Sequence, residues 1–453
     1  MSLSEIIGIL GLCIAFFMVI YLPYKGMLMP YVIIAACFVV IFTNGMNLIE
    51  TFENVIMAGI AQQATSLMAV YLFGALFGKL YIDSGAAQSL TSALMNLLSK
   101  KANESQKRTI AIIVILFIGA LLCYVGIDTN ASLVTMIGLA TGVFASTGIP
   151  RKYLPACLIV STTVGYLVPG SANMIPLMIG GMLQTGSMAG AIPGFLDAIL
   201  VFVAAVLYLS RKVKKSTALG ETFEYGPLSP VTAPEHAPHP IVALIPLLCV
   251  VVIYNIIKLP AWLALCIALV VEIILFWNNI TAAEGHEDKS VFVQKFWGIV
   301  DSLNSGVNLA GIACVFLFTF ALGLVVSEAS SFQTIASGIS SLPLPPLIIL
   351  AVLATILIGI SGGPGGLVVA ASVVTSTLIP QFGVDAAACH RIIIAATSIF
   401  DSLPCCGACV MMMAMTNIKM KEGYPPIFRT TILYTAGGLV LVTALLILFP
   451  GLA

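Results

Sequence analysis

The chain reads as an all-α polytopic membrane protein of about 12 helices, arranged in two related repeats, each with a re-entrant hairpin and a broken helix. Three observations carry that expectation: a shortage of charge, apolar runs of spanning length along the whole chain, and motifs that recur at a nearly constant offset. Of 453 residues, 60% are hydrophobic and 8% are charged, whereas a soluble domain carries roughly a quarter charged residues. Nineteen basic and nineteen acidic residues cannot cover the surface of a soluble chain of this length. That composition excludes a cytosolic enzyme, a nucleic-acid binder and a disordered scaffold. The net charge of zero implies no global electrostatic partner.

A bilayer core needs about 20 apolar residues per helix. Such runs lie at 5–22, 27–43, 55–82, 109–126, 153–168 with 173–186, and 189–210. A second set lies at 241–257, 260–278, 300–326, 344–360, 386–403 with 405–417, and 426–449. Glu5 and the lack of a basic start make the first run a membrane helix and not a cleaved signal. Between the sets, residues 211–240 hold Pro227, Pro230, Pro234, Pro238 and Pro240 among acidic residues. The expected organisation is therefore a first repeat over 1–210, a polar linker over 211–240 and a second repeat over 241–453. Most of the eleven cysteines sit in apolar runs (Cys13, Cys37, Cys157, Cys249, Cys266, Cys314) and read as buried free thiols. There is no Walker motif and no zinc spacing, so neither ATP-driven pumping nor a cofactor or metal is expected.

The halves align. Gly78 precedes Asp83 by five residues, as Gly323 precedes Glu328. Gly126-Ile127 matches Gly359-Ile360, Thr162 and Pro169 recur as Thr397 and Pro404, and Pro193 and Phe195 recur as Pro426 and Phe428. A shared order at similar offsets points to internal duplication.

Each half also interrupts its own helices. After Gly126 comes Asp128-Thr129-Asn130, then a short apolar stretch to Gly148-Ile149-Pro150. After Gly359 comes Ser361-Gly362-Gly363-Pro364, then a stretch to Pro380. Each stretch is expected to be a re-entrant hairpin, a backbone form tolerated at membrane depth only inside protein or along a wet cavity. Two helices break in mid-course, at Pro169-Gly170-Ser171-Ala172-Asn173 and at Ser402-Leu403-Pro404-Cys405-Cys406-Gly407. Paired half-helix ends suit an anionic substrate and a coupling ion. Proline kinks in packed helices explain one such site more easily than four at corresponding positions.

Asp401 follows a long apolar run and sits three residues before Pro404. A charge at that depth costs about 2.5–3.5 kcal/mol unless paired or hydrated, so Asp401 is the first candidate for ion coupling and Asp128 the second. Ser361, Gly362, Gly363, Thr397 and Ser402 are candidates for substrate hydrogen bonds, because glycine admits close backbone approach and hydroxyls donate without charge. Their first-half counterparts are Thr162, Gly170, Ser171, Asn173, Asp128, Thr129 and Asn130. His390 and Arg391 are either a cap on their helix or substrate or gating contacts, and Cys405 is grouped with them. Asp197, Glu272 and Lys79 lie near enough to helix ends to snorkel. Cys405, Cys406 and Cys409 lack a histidine at ligand spacing, which disfavours a metal.

The stretch from His390 to Tyr424 resembles the C-terminal signature of the gluconate:proton symporter (GntP-type) permeases. The matching residues are His390, Arg391, Asp401, Leu403, Pro404, Gly407 and Tyr424, with Cys405 standing where that family has histidine. Ile149-Pro150-Arg151, Pro169-Gly170 and Asn173-Met174-Ile175-Pro176 are similar to the branch that carries short hydroxy acids such as 3-hydroxybutyrate. The resemblance implies an ion-transporter-superfamily fold of two inverted repeats, a homodimer, elevator-type movement and a place in the plasma (inner) membrane among its lipids. It implies a small organic anion as substrate and a proton or sodium ion as partner. A thiol cannot replace an imidazole as a proton carrier near neutrality, so Asp401 would carry coupling alone or the ion would be sodium.

The alternatives are a passive channel, which would show a continuous polar stripe, and a membrane-embedded enzyme, which would need a nucleophile–base pair. The sequence shows clustered breaks instead, and no Gly-x-Ser-x-Gly or His-Glu-x-x-His. Orientation is in conflict: three spans separate the basic cluster at Lys100–Arg108 from that at Arg211–Lys215, placing them on opposite faces, although both should be cytoplasmic. The amphipathic segment 85–99 is expected at the interface.

Overall fold

The computed structural model describes residues 2–25, 27, 29–224, 237–280, 289–315, 318, 320–340, 343–361, 364–400, 402–403 and 407–453. No strand occurs among them; the protein is an all-α polytopic membrane protein. The first half runs α1 (Leu3–Tyr24), α2 (Met29–Thr43) and a short α3 (Leu48–Glu50), which passes through a π-helical turn into α4 (Ala58–Asp83). It continues with α5 (Ala86–Ser99), α6 (Glu104–Tyr124), α7 (Thr129–Thr147), α8 (Leu154–Leu167), α9 (Met174–Leu183) and α10 (Ala191–Ala218). The second half opens with α11 (Pro240–Val251), extended by a π-helical segment over Val252–Ile256, and α12 (Ala261–Phe276). Then come α13 (Val291–Val315), α14 (Phe320–Glu328), α15 (Ser330–Ser340), α16 (Pro346–Ser361), α17 (Pro364–Val373) and α18 (Ile379–Phe382). The chain ends with α19 (Ala386–Phe400), α20 (Gly407–Thr416), α21 (Met420–Ile427) and α22 (Tyr434–Leu448).

Among the described residues, four helical stretches are long and apolar enough to cross a membrane singly: Glu104–Tyr124, Thr129–Thr147, Ala191–Ala218 and Met420–Leu448. A bent pair over Leu48–Thr65 and Leu67–Asp83 makes a fifth. Helix α8 is the innermost element. Every residue from Leu154 to Leu167 is buried, packed among α6, α7, α10, α20 and α21. Its hydroxyls at Ser161, Thr162 and Thr163 are buried with the rest and donate to carbonyls of the same helix, at Leu158 and Ile159.

Local chemistry sets the breaks. Val125 leaves the helical region after α6, Gly126 takes φ +104°, and the Asp128 side chain caps α7 by accepting from Asn130 N and Ala131 N. Gly148, at φ +67°, ends α7, and Pro150 follows. Two expectations change here. Residues 129–147 form one helix, about 28 Å long at 1.5 Å per residue, and not a hairpin; the turn lies earlier, at 125–128, between α6 and α7. Likewise α17, a π-helical turn and α18 carry the chain helically from Pro364 to Phe382.

This helix pair resolves the orientation conflict. Arg108, at the start of α6, donates from Nε to Thr147 O at the end of α7 (3.1 Å) and from Nη1 to Thr217 Oγ1 at the end of α10 (3.4 Å). Lys152, before α8, pairs with Glu221 after α10 at 2.5 Å. The two basic clusters therefore share one face, because α6 and α7 leave and return together. Glu221 lies outside the spans, and the Lys152 ammonium holds its carboxyl below the ordinary value.

The thiols are mixed. Cys37 and Cys157 are buried as expected, Cys249 and Cys266 are half-buried, and Cys13 is exposed on α1.

Candidate functional site

The break between α8 and α9 follows from Pro169. The residue before a proline is pushed out of the helical region, and Val168 is extended at φ −64°, ψ 125°. Gly170 then takes φ +81°, and Asn173 starts α9 by accepting from Ile175 N through Oδ1 (3.1 Å). A break of this kind frees backbone groups that must find partners when buried.

Those partners come from three other elements. The tip after α6 supplies Tyr124 O, which accepts from Ala172 N at 2.8 Å and from Ser171 Oγ at 3.3 Å. The loop before α10 supplies Ser187 O, which accepts from Gly170 N at 2.9 Å. The π-helical end of α11 supplies Asn255, whose Nδ2 donates to Gly170 O at 2.9 Å and to Tyr124 Oη at 3.4 Å. Ser187 Oγ donates to Asn255 Oδ1 at 3.2 Å. A side chain on residue 170 would not fit: a Cβ there would lie 2.8 Å from Asn255 Oδ1 and 3.0 Å from both Met188 Sδ and Tyr124 Oη. Asn173 Nδ2 donates to Cys123 Sγ, and Tyr71 Oη donates to Met174 Sδ.

Helix α19 reaches the same place from the second half. Arg391 is 1% exposed. Its Nε and Nη2 donate to Ala189 O (3.1 and 2.7 Å), and its Nη1 donates to Leu167 O (3.0 Å). It lies along Gly190, just before α10, and Gly194 within it, where a Cβ on either would come within 2.8 Å of it. One turn farther along α10 is Asp197, also 1% exposed, with Oδ1 unbonded. His390 is fully buried; Nδ1 shares a hydrogen with Thr185 Oγ1 at 2.5 Å, and Nε2 has no partner.

The structure thus brings together Gly170, Ser171, Asn173 and Arg391, with Asp128, Thr129 and Asn130 at the neighbouring tip and half-buried. Thr162 and Thr397 are buried inside α8 and α19 and donate to the carbonyls four or fewer residues back, Ile159 O (2.9 Å) and Ile393 O (2.7 Å). Ser402 is buried, and its carbonyl accepts from Cys409 Sγ at 3.4 Å. Asp401, Cys405, Gly362 and Gly363 lie outside the described residues, as does the Ser361 side chain.

The snorkelling expectation fails for two acids: Asp197 and Glu272 are buried, and neither Glu272 oxygen has a partner. Each acid sits on the inward face of its helix, while Ile199 of α10 and Ile274 of α12 are exposed on other faces, so its side chain is covered by the protein. Lys79 pairs instead with Asp83 at 2.5 Å. Sequence reasoning missed Tyr124, Thr185, Ser187 and Asn255. Asn255 alone offered a signal, as an amide inside an apolar run.

No family model matches the chain. The uncharacterized transporter YxjC of Bacillus subtilis (strain 168) is 25% identical over 471 residues, covering 92% of this chain and 94% of the relative. The solved structure of the YdaH transporter of Alcanivorax borkumensis, described as having an unusual topology, superposes with a TM-score of 0.55 at 14% identity over 87% of this chain and 88% of that one. Neisseria gonorrhoeae MtrF, described within a class of antimetabolite efflux pumps, gives a TM-score of 0.47 at 15% identity over 89% and 84% of the two chains. The YdaH likeness shows a shared membrane-protein fold.

Proposed function

We propose that the chain is a secondary active transporter that moves a small organic acid anion, gluconate-like or a short hydroxy acid, together with a proton or a sodium ion. One observation carries this reading: a broken helix deep in the protein meets a helix-pair tip, and its backbone ends are held by groups from other elements and not by a helix continuing. Half-helix ends of this kind present N–H and C=O groups to an anion and a cation at once. The 25% identical relative named as a transporter and the YdaH-like fold support the class. The resemblance of His390–Tyr424 to the gluconate permeases supports the substrate class.

The same order of elements in the two halves favours duplication. An amphipathic helix (α5, α15) precedes a helix pair (α6 and α7, α16 and α17), then a paired set (α8 and α9, α19 and α20) and a long closing helix. In this reading Gly170, Ser171 and Asn173 face Ser361, Gly362 and Gly363 across the substrate, and Asp401 carries the ion. The basic face that joins Arg108, Lys152 and the 211–215 cluster is cytoplasmic by the positive-inside rule, in the plasma membrane. The protein works as a homodimer whose α6–α10 and α16–α22 bundles move against the rest.

Uptake into proteoliposomes, with a panel of hydroxy, keto and sugar acids under separate proton and sodium gradients, tests the reading. Saturable uptake of one acid class driven by one of the two gradients is the expected result. Flux that is linear in concentration and indifferent to both gradients favours a channel.

A further inference from the structure

The end of α5 and the start of α6 line an open groove of about 400 Å³. Its wall combines Lys101, Ser105, Gln106 and Thr109 with the apolar Leu98 and Ile110. Helix α5 buries Ala86, Ala87, Leu90 and Thr91 inward, while Leu97 and Leu98 near its end are exposed. A helix so patterned lies along the membrane interface, which puts the groove at head-group level on the basic face.

The basic residues of that face differ in what they hold. Lys107 pairs with Glu104 at 2.8 Å and Lys152 with Glu221 at 2.5 Å. Arg108 is engaged with Thr147 O and Thr217 Oγ1. Lys101 has no carboxylate within 4.0 Å among the described residues. The groove therefore presents one uncompensated ammonium beside neutral donors. Gln106 uses its side-chain oxygen on Asn103 N at 2.9 Å, so its NH2 group adds donors to the Ser105 hydroxyl. The positive end of the α6 dipole adds to the same field.

We propose that this groove binds the head group of an anionic phospholipid, with the phosphate on Lys101, Ser105 and Gln106 and the first acyl carbons against Leu98 and Ile110. The apolar wall selects a lipid over a free phosphate, and the uncompensated lysine selects an anionic lipid over a zwitterionic one.

Native mass spectrometry of the detergent-purified chain tests this with three probes: phosphatidylglycerol, phosphatidylcholine and inorganic phosphate. The wild type should retain phosphatidylglycerol in preference to phosphatidylcholine, and inorganic phosphate should not displace it. Lys101→Gln should weaken phosphatidylglycerol binding about fivefold, the factor one lysine near an anionic surface supplies. Lys100→Gln, one residue outside the groove, should weaken it clearly less. Both positions are on the surface, and matching gel-filtration profiles check that each variant is folded. Equal retention of the two lipids, displacement by inorganic phosphate, or equal losses in the two variants would each overturn the proposal.

Discussion

Replacing Arg391 by Gln separates a residue that shapes the helix break from one that only meets substrate. The guanidinium donates three hydrogen bonds to two carbonyls, the buried Leu167 O and the half-buried Ala189 O. Glutamine is too short to span both. Each buried carbonyl left without a donor costs about 1–3 kcal/mol, and the buried Asp197 loses the influence of the Arg391 charge. With Leu167 O buried and Ala189 O half-buried, Arg391→Gln is expected to destabilise by about 1–4 kcal/mol. Asp197→Asn removes the counter-charge from the other side. The double variant should be less destabilised than the sum of the singles, because the Arg391 charge acts on the Asp197 carboxyl. The assay is equilibrium unfolding in mixed micelles, run as a double-mutant cycle without substrate. An Arg391→Gln protein within about 0.5 kcal/mol of wild type, or strictly additive singles, would refute the strut and return Arg391 to the role of a substrate or gating contact.

Gly170→Ala places a side chain at φ +81° against Asn255 and Tyr124; strain and overpacking together should cost about 2–5 kcal/mol, read as lost thermal stability and lost uptake. Asn255→Leu should leave Gly170 O without its donor at a cost of about 1–3 kcal/mol, and faster hydrogen exchange confined to 168–173 and 185–190 is the signature to measure. Glu221 is held below its ordinary value by Lys152, so the tie between the ends of α8 and α10 is present above the carboxylate range and lost as pH falls through it. Hydrogen exchange at 217–221 should rise on acidification in the wild type and stay flat in Glu221→Gln; the same pH dependence in both proteins would assign the effect elsewhere. Gly363→Leu, at the glycine run before Pro364, should raise the transport Km or abolish uptake, and full activity in a well-folded variant would remove Gly363 from the site.

The all-helical membrane class was legible because apolar length is a local property. The broken helix at 168–173 was legible as well, since Pro169 and Gly170 act on their own backbone. The helix pair was misplaced because two stop signals, Gly126 and Gly148-Ile149-Pro150, flank one apolar stretch diluted by Thr129, Asn130, Thr135 and Thr141. Nothing local says that the turn lies at the first signal and the face at the second. That one shift inverted the crossing count and set the basic clusters apart. Ser187 and Thr185 carry no local signal, and the amide of Asn255 marks a polar residue without naming its partners, because these roles depend on neighbours that are 68 to 205 positions away in the chain. The burial of Asp197 and Glu272 was missed for the same reason: distance from a helix end in sequence does not reveal which neighbours cover it.

The steady-state accumulation ratio of a transported hydroxy acid, in proteoliposomes carrying wild type or Asp401→Asn, tests the central claim most directly. A carrier with its coupling ion at Asp401 should concentrate substrate severalfold under the driving gradient, lose that ratio when an ionophore collapses the gradient, and show a ratio near one in Asp401→Asn while exchange persists. With Cys405 in place of an imidazole, wild-type uptake should show no steep loss as pH rises through about 6.5. Accumulation by Asp401→Asn equal to wild type would place the ion elsewhere, and a wild-type ratio of one under every gradient would contradict the carrier itself.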